Sequence, residues 1–152
     1  MEYRKMEDIE KKNKKEIPKF TWVILIILGC IDLLRGIMHT IFIDEAIALF
    51  AHYDLSGPMA GDLMLQMSAF GISNLITGAM FIIIALKARQ MADIALICIP
   101  VAYLIGIIAI KINNIVPQSD LLGQYGMMVY LGVSIITFIA TRVKMWLENK
   151  KK

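Results

Sequence analysis

The sequence is poor in charge, in cysteine and in proline. Of 152 residues only 19% are charged, and there are two cysteines and four prolines. Disordered chains combine low hydrophobicity with high net charge, so a hydrophobic share of 58% excludes disorder. Cys30 and Cys98 lie in apolar stretches without a C-x-x-C spacing. Such thiols are usually inert, and they give no information about the redox compartment.

The sequence also lacks the common catalytic and nucleotide-binding signatures. H-E-x-x-H, G-x-S-x-G, the P-loop and G-x-G-x-x-G are all missing, which gives no support to an H-E-x-x-H metalloprotease, a P-loop NTPase or a Rossmann dehydrogenase. An enzyme that acts on lipid or quinone needs none of these motifs. The net charge of +3 forms no basic face, so we expect no nucleic-acid partner. We predict no cofactor and lean against an enzyme, although a bound lipid or quinone is compatible with the sequence.

What the chain has instead is four long apolar stretches, with a mean hydropathy of +0.65 overall. A membrane-spanning helix needs about 20 mostly apolar residues. The stretches predict spans at about 20–43, 63–86, 91–112 and 125–146. The predicted fold class is therefore all-α: a polytopic membrane protein with a four-helix transmembrane bundle at 20–147.

The charged residues predict how this bundle is oriented. Lys and Arg are concentrated in the tail 1–19, in the connection 87–89 and near the C-terminus, including the basic tail 148–152. The segment 44–62 contains acids but no Lys or Arg. Because basic loops stay in the cytoplasm, both termini are predicted to be cytoplasmic in the cell membrane, with 44–62 outside. The expected partner is the lipid bilayer, and a homo-oligomer or a larger membrane complex is compatible with it.

Two charges inside the first span depart from this pattern. Asp32 and Arg35 are three residues apart and share a helix face, on which Gly36 and His39 also lie. Each intramembrane charge costs about 2.5–3.5 kcal/mol on insertion scales. We therefore expect this face to contact protein rather than lipid.

Each of the other spans carries polar groups at about the same depth. At a rise of about 1.5 Å per residue, Asn74, Tyr103 and the pair Tyr130 and Ser134 come close to the level of Asp32. In the third span, Pro100 frees the carbonyl group of Leu96. The predicted ligand-binding or proton-relay site consists of residues from all four spans: Asp32, Arg35, His39, Asn74, Tyr103, Tyr130 and Ser134.

The sequence leaves the purpose of this site open. An Asp32–Arg35 pair that only fixes helix register is one interpretation, because buried ion pairs are weak signs of activity. The favoured function is a non-enzymatic protein that binds a ligand or partner at a buried polar site near the bilayer midplane. The alternatives are a proton- or ion-coupled small transporter that uses Asp32 and His39, and a lipid- or quinone-modifying enzyme with Tyr103 beside them.

Methionine is abundant, with 11 residues, several of them near the outer end of the bundle. Thioether and imidazole ligands suit Cu(I), and His39, Met64 and Met67 are the candidates for such a site. Methionine is also a common filler of irregular apolar gaps. We therefore predict no metal site.

Overall fold

The computed structural model describes residues 17–116 and 122–151, and within these ranges it contains helices and no strand. Four helices are long and apolar enough to cross a membrane. The prediction of an all-α four-helix bundle is confirmed. The helices are α1 (Lys19–Thr40), α2 (Ile43–Ala46, continued by a π-helical turn at Ile47–Ala51), α3 (Ala60–Lys87), α4 (Ala92–Ile112, preceded by a 3-10 turn at Arg89–Met91) and α5 (Gly123–Asn149).

The long helices lie close to the predicted spans but differ at their ends. α1 ends three residues early, where Thr40 Oγ1 donates a 2.7 Å hydrogen bond to the carbonyl of Gly36. α3 and α5 are longer than predicted, since a helix can continue past the hydrocarbon into the headgroup region. Residues 1–16 of the predicted cytoplasmic tail lie outside the described part of the chain.

Four glycines bring α1 and α3 into backbone contact. A methyl group on Gly78 would lie 2.6 Å from the carbonyl oxygen of Gly29, and one on Gly71 would lie 2.9 Å from the backbone of His39. A methyl group on Gly36 would lie 2.6 Å from the Leu75 side chain. Small residues permit this close approach between membrane helices. α1 and α3 therefore form a tight antiparallel pair.

The start of α1, the α3–α4 connection and the end of α5 meet at one end of the bundle, which we call the basal end. The hydroxyls of Thr21 and Thr141 lie 2.7 Å apart. The guanidinium of Arg89 lies 4.4 Å from the ring centroid of Trp22. The other end, which carries α2, is the distal end. The helices thus alternate in direction, as four consecutive membrane spans must.

The helix α4 is attached to the bundle by its basal part. Its buried residues are Ala92, Asp93, Ala95 and Leu96. The three apolar ones belong to one cluster with Leu25 and Leu28 of α1. No residue from 97 to 116 is buried. The distal half of α4 is thus left uncovered by the described chain, whereas α1 and α3 remain packed together at that level.

Candidate functional site

A buried carboxylate and a phenol join α1 to α5 within the span. The Asp32 side chain is almost fully buried, with the residue 4% exposed. The hydroxyl of Tyr130 donates a 2.8 Å hydrogen bond to Asp32 Oδ2. The helical spacing on α1 and α5 turns both groups inward at one depth. A hydrogen bond from a hydroxyl to a carboxylate is of the strong, charge-assisted kind.

Arg35 is paired with Asp32 only loosely. Its Nη1 atom lies 3.5 Å from Asp32 Oδ1, and its side chain remains 25% exposed. The same nitrogen donates a 2.9 Å hydrogen bond to the thioether sulfur of Met127 on α5. The guanidinium carbon lies 5.4 Å from the ring centroid of Phe70 on α3. Tyr130, rather than Arg35, therefore makes the close hydrogen bond to Asp32.

His39 and Asn74 form a second polar contact, nearer the distal end. Asn74 Nδ2 lies 3.5 Å from Nδ1 of His39, and both residues are buried. The His39 ring also packs on Phe70, with centroids 5.3 Å apart. Phe70 therefore touches both Arg35 and His39, and it connects the two polar contacts. The sequence places Asn74 at about the depth of the Asp32–Arg35 pair. In the structure its side chain contacts His39 instead.

Ser134 contacts the backbone of α4 instead of another polar side chain. Its hydroxyl donates a 2.5 Å hydrogen bond to the carbonyl of Leu96. In a regular helix that carbonyl would accept from residue 100, and Pro100 has no N–H group to donate. Ser134 therefore satisfies the carbonyl that the proline frees.

Tyr103, like Ser134, is a predicted site residue that the structure does not join to the other polar side chains. It lies half-buried in the part of α4 that the bundle leaves uncovered. The carboxylate of Asp32 takes its phenol hydrogen bond from Tyr130 instead. The polar cluster, by which we mean Asp32, Arg35, His39, Asn74 and Tyr130, thus involves α1, α3 and α5.

The metal candidates are divided between two environments. Met67 is buried in a distal apolar cluster with Ile47 and Ala51, and Met64 packs against the same cluster. His39 faces Asn74 and Phe70. In the part of the chain that the structure describes, no three His, Cys, Asp or Glu residues come together as a metal site.

Several contacts were not predicted from the sequence. Arg142 forms a 2.9 Å ion pair with Asp93, whose side chain is only 5% exposed, and it joins α4 to α5 at the basal end. Opposite charges near the same end of neighbouring spans would have indicated this pair. Met127 and Phe70, which surround Arg35, carry no comparable signal because apolar residues fill most positions of every span.

The hydrogen bonds of the polar cluster leave one of its groups with room for a further partner. Every fully buried side-chain nitrogen or oxygen among the described residues has a hydrogen-bond partner. Arg35 is partly exposed, so its guanidinium can still donate a hydrogen bond to a new partner. Comparisons with known protein families, curated proteins and solved structures find no match to this chain.

Proposed function

We propose that this chain is a multi-pass protein of the cell membrane that binds a small acidic ligand at Arg35 without chemically changing it. One observation carries the proposal. Tyr130 donates at 2.8 Å to Asp32, while Arg35 lies 3.5 Å from the same carboxylate. The carboxylate is therefore satisfied largely by the phenol, and the guanidinium is left with hydrogen-bonding capacity inside an apolar span.

The remaining contacts of Arg35 are weak ones for a cation. A guanidinium has five N–H donors, and a thioether is a poor acceptor. In the described chain Arg35 donates to Met127 Sδ and approaches Asp32 Oδ1. A ligand oxygen that carries negative charge would bond more strongly than the sulfur does, because Arg–carboxylate and Arg–phosphate bonds are charge-assisted and can be bidentate.

Tyr130 has a positioning role in this proposal. By binding Oδ2 of Asp32, its hydroxyl holds the carboxylate away from a close, two-bond contact with Arg35. If that hydroxyl were removed, Asp32 would be expected to turn toward Arg35 and compete with the ligand. Loss of Tyr130 should therefore weaken ligand binding even though the residue itself binds no ligand.

Native mass spectrometry of gently extracted protein tests the proposal. Wild type should retain a small acidic molecule, Arg35→Gln should lose it, and Tyr130→Phe should retain several-fold less. The matched control is Lys111→Gln, which removes an exposed cation near the distal end of α4. A wild type that retains nothing, or an Arg35→Gln variant that retains as much as wild type, would contradict the proposal.

A column of buried hydroxyls supports a proton-coupled transporter as the second candidate. Tyr130, Ser134, Thr137 and Thr141 line the buried face of α5, and Thr141 reaches Thr21 at the basal end. Intramembrane carboxylates and histidines mark proton relays, and Asp32 and His39 are both buried in this bundle. In this case proteoliposomes should show substrate-dependent proton flux that Asp32→Asn abolishes. Flux that Asp32→Asn leaves unchanged would exclude the candidate.

A further inference from the structure

We infer that the ligand at Arg35 is an acyl-chain monoanion, with a carboxylate or phosphate head on Arg35 and its chain beside the uncovered distal half of α4. The inference rests on the proposed function and names the class of ligand. It combines three features of the structure: the charge around Arg35, its depth, and the absence of a covering helix at that level among the described residues.

The charge around Arg35 favours a head with a single negative charge. Asp32 and Arg35 together carry no net charge, and the carboxylate of Asp32 lies 3.5 Å from the guanidinium. A second negative charge on the ligand would therefore meet a carboxylate in a medium that screens it poorly. A bound monoanion adds one negative charge to this neutral pair and a dianion adds two, so the monoanion meets less repulsion from Asp32.

The depth of Arg35 favours a ligand that comes from the bilayer. Arg35 is five residues before Thr40, the last residue of α1, which places its backbone about 8 Å below that helix end. A fully water-soluble anion would have to lose its hydration to reach this level. An amphipathic anion is already in the bilayer, with its chain in the hydrocarbon and its acidic head at the surface, so the head has to move only about 8 Å along α1 to reach Arg35.

The surroundings of Arg35 provide an apolar surface for the chain. Arg35 extends between Phe70 on α3 and Met127 on α5. The fourth helix of a closed bundle would cover this level, but α4 has no buried residue beyond 96. Leu104 and Ile108 are 57% and 49% exposed there. A single cation at the depth of such an exposed apolar surface is complementary to an acidic head with one long chain or two.

The test measures the retention of defined lipids by the full-length protein in a non-ionic detergent, using native mass spectrometry. The probes are oleate against oleyl alcohol, and phosphatidylglycerol against phosphatidylcholine with the same chains. Wild type should prefer the anionic member of at least one pair by about tenfold or more, because a hydrogen bond to a charged group is replaced by one to a neutral group. A preference within the oleate pair identifies a fatty acid, and one within the phospholipid pair identifies a lipid headgroup.

Variants locate the preference within the molecule. Arg35→Gln should reduce it to about twofold or less, and Arg35→Lys should keep part of it, which shows that the bundle tolerates substitution at this position. Lys111→Gln and Lys87→Gln, which remove exposed cations near opposite ends of the bundle, should leave it unchanged. A preference that persists in Arg35→Gln would overturn the inference. A wild type that retains only a short-chain acid at Arg35 would overturn the inference but leave the proposed binding function intact. A wild type that retains only neutral molecules would overturn both.

Discussion

At the scale of single residues, Ser134 shows how this bundle tolerates a proline in a membrane helix. An unpaired carbonyl in hydrocarbon is costly, and broken helices need neighbouring groups to satisfy it. Ser134 donates to the carbonyl of Leu96 at 2.5 Å from the adjacent helix. The contact also fixes α5 against α4 at the last point where α4 is buried.

Ser134→Ala should lower the free energy of unfolding by about 1–3 kcal/mol, because the Leu96 carbonyl is then left without a donor. In a Pro100→Ala background the same change should cost less, since residue 100 regains the N–H group that normally bonds this carbonyl. Reversible unfolding in mixed micelles of detergent and lipid measures the four variants of the cycle. Ser73→Ala on α3, where the residue is exposed, is the matched control. Equal costs in both backgrounds would show that Ser134 acts through something other than the proline.

Single residues also show where prediction from the sequence ends. Asp32, Arg35 and Tyr130 could be predicted because polar groups are rare in these spans and their spacing fixes a helix face. Tyr103 could not be oriented in the same way, because α4 is apolar on all sides and its sequence contains no stripe that defines an inner face. The preference of Asp32 for Tyr130 over Arg35 depends on the difference between a 2.8 Å and a 3.5 Å contact, which residue spacing does not encode.

At the scale of helices, the bundle consists of one tight pair and two more loosely attached members. α1 and α3 are in contact at Gly29, Gly36, Gly71 and Gly78. The face of α1 that carries Asp32 and Arg35 packs against protein rather than lipid, as expected for charges inside a membrane. α5 contributes Tyr130 and Met127 to that face. The spans themselves were predictable from length and hydropathy. How tightly each helix packs against the others was not, because apolar helices in lipid have no hydrophobic driving force to associate and depend on local packing and hydrogen bonds.

Gly78→Ala should separate α1 from α3 and lower the free energy of unfolding by about 1–3 kcal/mol or more, as overpacking does. The added methyl would lie 2.6 Å from a backbone oxygen that cannot move away on its own. Gly106→Ala is the matched control, because nothing lies within 4 Å of that position. Alanine is favoured over glycine in helices by about 1 kcal/mol, so the control should be neutral or slightly stabilising. If both variants melted alike in detergent, the contact of α1 with α3 would not be limiting for stability.

At the scale of the whole molecule, the charges are divided between the two ends. Among the described residues, the basal end carries Lys19, Lys87, Arg89, Arg142, Lys144, Lys150 and Lys151 against Asp93 and Glu148. The distal end carries Lys111 against Asp44, Glu45, Asp54 and Asp62. The helix directions agree with this division, because the basic segments all meet at the basal end. Which compartment that end faces remains a prediction from charge alone.

Cysteine labelling in intact cells tests this orientation. Cys30 and Cys98 are free and exposed on the helix surfaces, so both are first replaced by alanine. A membrane-impermeant maleimide should label Ser56→Cys in intact cells and Asn149→Cys only after lysis, because the distal end is predicted to lie outside. Labelling of Asn149→Cys in intact cells would place the basal end outside and reverse the predicted topology.

The glycine contacts impose a rule on how this sequence can change over evolutionary time. Gly29 and Gly36 are seven residues apart, as are Gly71 and Gly78, and the two intervals face one another. One inserted or deleted residue in either interval would rotate everything beyond it by about 100°. In α1 this would break the alignment of Asp32 and Arg35 with the two glycines, and in α3 it would break the alignment of Asn74 with Gly71 and Gly78. The length of these intervals should therefore be more strictly inherited than the identity of the residues in them, and a distant relative should be recognisable by the spacing alone.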